Sequence, residues 1–391
     1  MQTRIVLGLI ICGVSLGCWY LLIDPSQPQP QTSKKMTEPS ALKVQDVGAH
    51  QQNLQQKNQF NQVETIEKRP EQAEATEVGL QDIDLSSCFT DQEFNKQLDS
   101  PEYIQLVQAY IDSLEQSNDQ QAQLYYTLFS DEMTHDMRLN RMLDYFEYFP
   151  EHPLIAQQMI NSCSRGVYKR CTNELIYQAI AVDKSNGAIW LSAASYFASK
   201  GLDDEVFNAI TALEKTSVFN ERYGEKVLLY TRALEGSTAN NFNLNAITGM
   251  GKAAVLLHPL YSINGWCDVD LSNLVKLEAC KVLAQQLVTR SKTALNSAFG
   301  EELKTRLDRL NQPDLETADG DTFLKEINQQ KNAMTSFLIF TNEALLRRYL
   351  NNFDQYGEVG ATKIAEEDIE QTLSNDPSLL CENIKESFSG L

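Results

Sequence analysis

Residues 171–217 read CTNELIYQAIAVDKSNGAIWLSAASYFASKGLDDEVFNAITALEKTS. Two helices with a short break between them are written there. Trp190, Ala194, Phe197 and Ala198 recur at helical spacing and lay one apolar stripe along the first. Gly201 ends it, because glycine accepts the left-handed geometry of a helix C-cap without a Cβ clash. Asp203, Asp204 and Glu205 open the second helix, where negative charge meets the positive end of the helix dipole. Val206, Ile210 and Leu213 carry its stripe, and the small residues Ala193, Ala194 and Ala209 let the two backbones approach closely. This stretch specifies an architecture. It carries no motif for a particular activity.

The run Ala179-Ile-Ala-Val-Asp-Lys-Ser-Asn-Gly-Ala-Ile-Trp190 resembles the junction between two tetratricopeptide (TPR) repeats. With Trp190 at the family's aromatic position, Ala194, Phe197, Gly201, Val206 and Ile210 fall where small, aromatic, turn, small and bulky residues belong. Ala193 stands in place of a Leu, Val206 and Leu213 in place of Ala, and the closing Pro is absent. Phe149-Pro-Glu-His-Pro-Leu-Ile-Ala156 has a similar turn, so the resemblance covers residues 149–217. It implies an all-α chain, either a TPR-like α-solenoid or packed helical hairpins, presenting a groove to a protein or peptide.

Outward from this centre the pattern stays helical. Ser100-Pro101 is an N-cap followed by Pro at the first helical position. Tyr103, Val107, Tyr110 and Leu114 follow as a stripe, then Leu139, Leu143, Phe146 and Phe149, stopped by Pro150. Val227 to Leu234 is apolar and ends at Gly236. The polar, Asn-rich run Gly236–Asn243 reads as a break, which divides the helical part into 86–236 and 237–391. Further stripes run through Leu283 and Leu287, through Leu303, Leu307 and Leu310, and from Phe337 to Phe353. No alternation at period two appears, so strands are expected to be rare.

The first 85 residues differ in kind. Ile5–Ile23 is a run of nineteen residues without a charge, close to the ~20 a spanning helix needs. Arg4 before it and Asp24 after it orient the N-terminus to the cytoplasm and the rest outside. Residues 1–24 are therefore expected to be a single-pass anchor in a bacterial inner membrane, with the bulk of the chain periplasmic. A lipoprotein anchored at Cys18 is the alternative, since Ser15-Leu-Gly-Cys18 resembles a lipobox, and a cleaved signal segment is the third reading. Gly13 and Gly17 share a G-x-x-x-G spacing that suits close packing of two spans. Residues 25–85 are rich in Gln, Pro, Ser, Lys and Glu and nearly free of aromatics. Such a composition buries too little apolar surface to offset its ordering entropy and reads as a disordered polar linker with a reach of about 45 Å.

Six cysteines follow: Cys88, Cys163, Cys171, Cys267, Cys280 and Cys381. An even number in an exported domain points to disulfides. The expected pairing is Cys163–Cys171 and Cys267–Cys280, each closing a short segment between neighbouring helices, with Cys88–Cys381 joining the ends. No C-x-x-C occurs, which argues against a thioredoxin-like site or a common zinc pair.

The formal net charge of −20 argues against nucleic acid, which needs a basic face. No cofactor motif, H-E-x-x-H or nucleophile triad is present. Glu132-x-x-His135, beside Asp131 and Asp136, supplies only one arm of a di-iron site and reads as an acidic helix start. Asp319-Gly320-Asp321 with Glu326 lacks the first ligand of a calcium loop. The remaining recognition feature is the basic loop Arg165-Gly-Val-Tyr-Lys-Arg170, framed by Cys163 and Cys171 in an acidic chain. Closed by a disulfide, Arg165, Tyr168, Lys169 and Arg170 are pre-organised for a partner; as a plain charged turn they are solvated. The expected role is an interaction scaffold for an envelope protein or peptide, engaging the membrane through its N-terminal helix. A helical enzyme or ligand-binding domain with an acidic pocket is the alternative.

Overall fold

The computed structural model describes residues 100–256, 260–268, 272–311 and 338–375. The anchor at 1–24 with Gly13, Gly17 and Cys18, the linker at 25–85, Cys88, Cys381 and the Asp319–Glu326 run lie outside the described residues. Among the described residues no helix is long and apolar enough to cross a membrane.

The described chain is all-helical. Its thirteen α-helices are α1 (Pro101–Ser113), α2 (Gln120–Phe129), α3 (His135–Tyr148), α4 (Pro153–Cys163), α5 (Asn173–Val182), α6 (Gly187–Ser199), α7 (Asp203–Lys215), α8 (Tyr223–Ala233), α9 (Phe242–Val255), α10 (Leu260–Asp268), α11 (Leu274–Arg290), α12 (Ala294–Asn311) and α13 (Glu343–Asn375). A short 3-10 turn, Leu114–Gln116, follows α1. Among the described residues the only extended pairing is one isolated bridge between Asn186 and Val218.

Short polar side chains set where these helices begin. Ser100, Asp119, Thr134, Thr172, Asn186, Asn241 and Asn273 each accept a hydrogen bond from a backbone N–H of the first turn that would otherwise lack a partner. α7 has no such cap. Asp203, Asp204 and Glu205 take its place through the dipole. α6 stops at Gly201, whose φ of 69° is left-handed, and Leu202 N–H returns to the Phe197 carbonyl at 3.1 Å. That is the C-terminal closure expected there.

α6 and α7 form the centre of the core. Ala193, Ala194 and Ala209 are buried where the two helices meet, with Leu191, Phe197, Ile210 and Leu213 around them. Trp190 is only half-buried and donates its Nε1–H to the Lys184 carbonyl at 2.8 Å, closing the α5–α6 turn. α4 packs against α3, α5 and α6; α10 lies on α6, and α11 on α7. One apolar cluster runs from Tyr103 to Leu307 and continues on both sides of Gly236. A second gathers Val227, Ala246 and Ala253 with Leu346, Leu350 and Ile369 of α13.

Some contacts skip along the chain. α2 rests on α8, with the Phe129 and Tyr230 rings edge-to-face at 5.1 Å. Tyr103 OH donates to Asn245 Oδ1 of α9 at 2.7 Å. The first two helices thus pack on a hairpin more than a hundred residues further on.

Residues 221–226, Glu-Arg-Tyr-Gly-Glu-Lys, join the two clusters through charge. The fully buried Glu221 carboxylate accepts from the Lys292 and Thr293 N–H groups, the Ser291 and Thr293 hydroxyls and the Asn296 amide. It closes the N-terminal end of α12. Arg222 reaches back to Asp183 at 2.7 Å and forward to Glu225 at 2.8 Å. Asp354 of α13 accepts from the N–H groups of Gly224 and Glu225 at 3.0 and 2.7 Å, capping α8 from outside its own segment. α13 bends at Gly357, whose φ of 78° is left-handed and whose missing Cβ lets it approach the Lys292 carbonyl. A β-carbon there would lie 3.1 Å from that oxygen.

Lys226 is buried in this node and donates to the Leu256 carbonyl at 3.2 Å. Burial pushes its ammonium down from 10.5 to about 8, against the pull of the Glu221, Asp354 and Glu225 carboxylates. Between pH 8 and 10.5 the unfolded chain holds the Lys226 proton and the folded chain has released it, so stability rises with pH. Buried tyrosines such as Tyr103, pushed up to about 12, act in the opposite direction as the unfolded phenols ionise on the approach to pH 10. In urea unfolding of the full-length protein, the stability of wild type relative to Lys226→Met is expected to rise by about 2 kcal/mol from pH 8 to 10. Parallel curves for the two proteins would refute the assignment.

Candidate functional site

The Cys163–Cys171 and Cys267–Cys280 bonds both form, with Cα–Cα distances of 5.7 and 5.9 Å. The second ties α10 to α11. Beside it Trp266 donates to Asp203 Oδ1 at 2.7 Å, under the Lys276 ammonium 4.5 Å from its ring. The first closes the basic loop.

Its course is set at each step. α4 ends at Cys163, and Ser164 Oγ donates back to the Asn161 carbonyl at 2.6 Å. Arg165 turns towards the end of α9 and donates to the Val255 carbonyl at 3.2 Å. Lys200, at the end of α6, donates to the Cys163 and Gly166 carbonyls from below. Tyr168 OH meets His135 Nδ1 at 2.9 Å at the start of α3. Arg170 forks onto two carboxylates of α3, Asp144 and Glu147, at 2.8 Å each. The last turn closes when Tyr196 OH donates to the Cys171 carbonyl at 2.8 Å. His135 and Asp144 are nine residues apart, about 13 Å along a helix. The loop therefore lies as a strap along α3, gripped at both ends.

The electrostatics support the strap. Burial lowers His135 below the ordinary imidazole value, and the Arg165 guanidinium adds to the effect. At neutral pH the ring is uncharged, and Nδ1 is free to accept the Tyr168 proton. Burial raises the Tyr168 phenol, with the nearby Asp136 charge acting the same way, so it stays a donor.

Of the four loop residues singled out by sequence, Arg165, Tyr168 and Arg170 are thus committed to the protein itself. The acidic face of α3 draws Arg170 inward. Lys169 points outward, exposed and with no ion-pair partner among the described residues, beside Val167, which is 96% exposed. The outward direction of Val167 is not legible in the sequence, since an apolar residue in a basic turn carries no signal of its own direction. Glu132 and Asp136 are exposed at the start of α3, while His135 has turned to Tyr168. Among the described residues no three His, Cys, Asp or Glu side chains gather as a metal site requires. The buried carboxylates Glu221 and Asp354 close helix ends. No protein-family model matches the chain, and no curated protein or solved structure matches it.

Proposed function

We propose that this chain is a membrane-anchored, periplasmic helical-repeat protein that serves as a protein–protein interaction scaffold in a bacterial envelope. The N-terminal segment holds it at the membrane, and the polar linker carries the helical unit away from the surface. The observation that carries this reading is the strap. A surface loop gripped by a disulfide and by α3, α6 and α9 presents Val167 and Lys169 outward, and such pre-organisation lowers the entropy cost of binding. The two bonded cysteine pairs support an oxidising compartment. Within the TPR-like reading, the packing of α2 on α8 favours closed helical hairpins, because an open stack places each repeat against its neighbours only.

A photo-reactive side chain placed at Val167 of the full-length protein tests this in intact cells. A discrete adduct is expected from that position, and none from exposed Glu214 on α7. The adduct should vanish when both Cys163 and Cys171 are serine. No adduct at Val167, or the same pattern from Glu214, would reject the scaffold reading.

A further inference from the structure

The turn between α3 and α4 carries an apolar surface that the strap does not use. Tyr148, Phe149, Pro150, Glu151, His152 and Pro153 line an open groove of about 470 Å3. The walls are aromatic. Tyr148 is 79% exposed and Phe149 37%, a degree of exposure unusual for two adjacent large rings. The groove is also rigid. Phe149 packs on the buried Tyr145 ring at 4.9 Å, and His152 meets the same ring edge-on at 6.0 Å. Tyr145 is held in turn by Gln120 at 3.3 Å. Pro150 and Pro153 restrict the backbone on either side.

The rim is acidic. Asp144, Glu147 and Glu151 surround the turn, with Asp144 and Glu147 exposing 59% and 66% of their side chains. Arg170 meets the first two, and Arg222, whose charge reaches His152, is already paired with Asp183 and Glu225, so the rim stays negative. Burial keeps His152 below the ordinary imidazole value, so the floor adds no cation at neutral pH.

From this pairing of surfaces we infer that the α3–α4 turn is a docking groove for an extended, basic peptide segment of another protein. An apolar side chain of the segment lies between Tyr148 and Phe149. A flanking Lys or Arg rests over an aromatic face, where the ring quadrupole attracts a cation, and faces Glu147 and Glu151. The groove is open to solvent along the turn, and its charge disfavours acidic segments. This assignment rests on the interaction reading above and names the chemistry of the partner.

The test uses full-length, disulfide-bonded protein and a fluorescein-labelled peptide, Gly-Lys-Leu-Arg-Pro-Lys-Leu-Gly, followed by fluorescence anisotropy. A matched peptide with glutamate at each cationic position serves as control. The basic peptide is expected to bind and to weaken with added salt, and the acidic one not to bind. Tyr148→Ala and Glu151→Lys each lose about tenfold in affinity, as removal of an aromatic anchor or reversal of a rim charge should. Both side chains are exposed, so unchanged unfolding temperatures confirm that the fold is intact. Failure of the basic peptide to bind, or equal binding by Tyr148→Ala, overturns the groove. Loss of binding in Lys169→Ser with none in Tyr148→Ala moves the site to the strap, which removes the groove and leaves the scaffold reading standing. Binding at the groove without adducts at Val167 keeps the groove and removes the strap as the contact surface.

Discussion

Replacing Glu221 with alanine is expected to lower stability by about 3–5 kcal/mol, the range found when one partner is removed from a buried charged network. In a helical unit of this size that corresponds to a fall of about 5–10 °C in Tm. The cause is local to the end of α12. The Lys292 and Thr293 N–H groups and the Asn296 amide lose their common acceptor inside the protein, where water does not replace it. Lys226 also loses a carboxylate that offsets its burial. Glu221→Gln keeps one acceptor oxygen but turns an amide donor towards existing donors, so its loss should fall between wild type and alanine. Differential scanning calorimetry of the three proteins reads this directly. A fall of less than about 1 °C in Glu221→Ala would show that the node does not hold the two clusters together. The effect should exceed that of Arg222→Ala, because Glu225, one of that side chain's partners, remains substantially exposed.

The second large effect concerns the Cys163–Cys171 bond. Opening it with Cys163→Ser and Cys171→Ser is expected to cost about 2.5 kcal/mol, on the chain-entropy estimate for a closed segment of this length. The functional consequence is sharper than the energetic one. Without the bond the strap depends on hydrogen bonds and ion pairs, those of Arg165, Tyr168 and Arg170 and those that Lys200 and Tyr196 give to its backbone. The two ion pairs of Arg170 lie near the surface, where such pairs contribute little. Trypsin should then cut after the exposed Lys169 much faster than in the oxidised protein, while the helices away from α3 keep their protection. Equal cleavage rates would show that the bond does not brace the loop. Opening Cys267–Cys280 should cost about 3 kcal/mol by the same reasoning and leave the Lys169 cleavage rate unchanged.

The two candidate surfaces differ in how far they were legible. The strap was flagged by its charge and its flanking cysteines, which are sequence signals. Its outward direction was not, because Arg170 has a choice between solvent and the carboxylates of α3, and only packing brings Asp144 and Glu147 within 2.8 Å. The helix stop at Pro150 is a local signal, and α3 ends at Tyr148, two residues before it. That Tyr148 stays in solvent while Tyr145, three residues earlier, is buried follows from which face α4 covers.

By itself the sequence determined where the helices begin and end. Caps such as Thr172 and Asn186, the stop at Gly201 and the stripe of Val206, Ile210 and Leu213 all act within a few residues, so their physics is written in the local chain. The two short disulfides belong to the same class, since each closes a span between adjacent helices. The buried Glu221–Lys226–Asp354 node, the bend at Gly357 onto Lys292 and the packing of α2 on α8 were decided only by the tertiary structure. Glu221 meets Thr293, Asp354 meets Gly224 and Phe129 meets Tyr230 across 70 to 130 positions of chain. The desolvation that gives those charges and rings their energetic weight exists only once the core has closed.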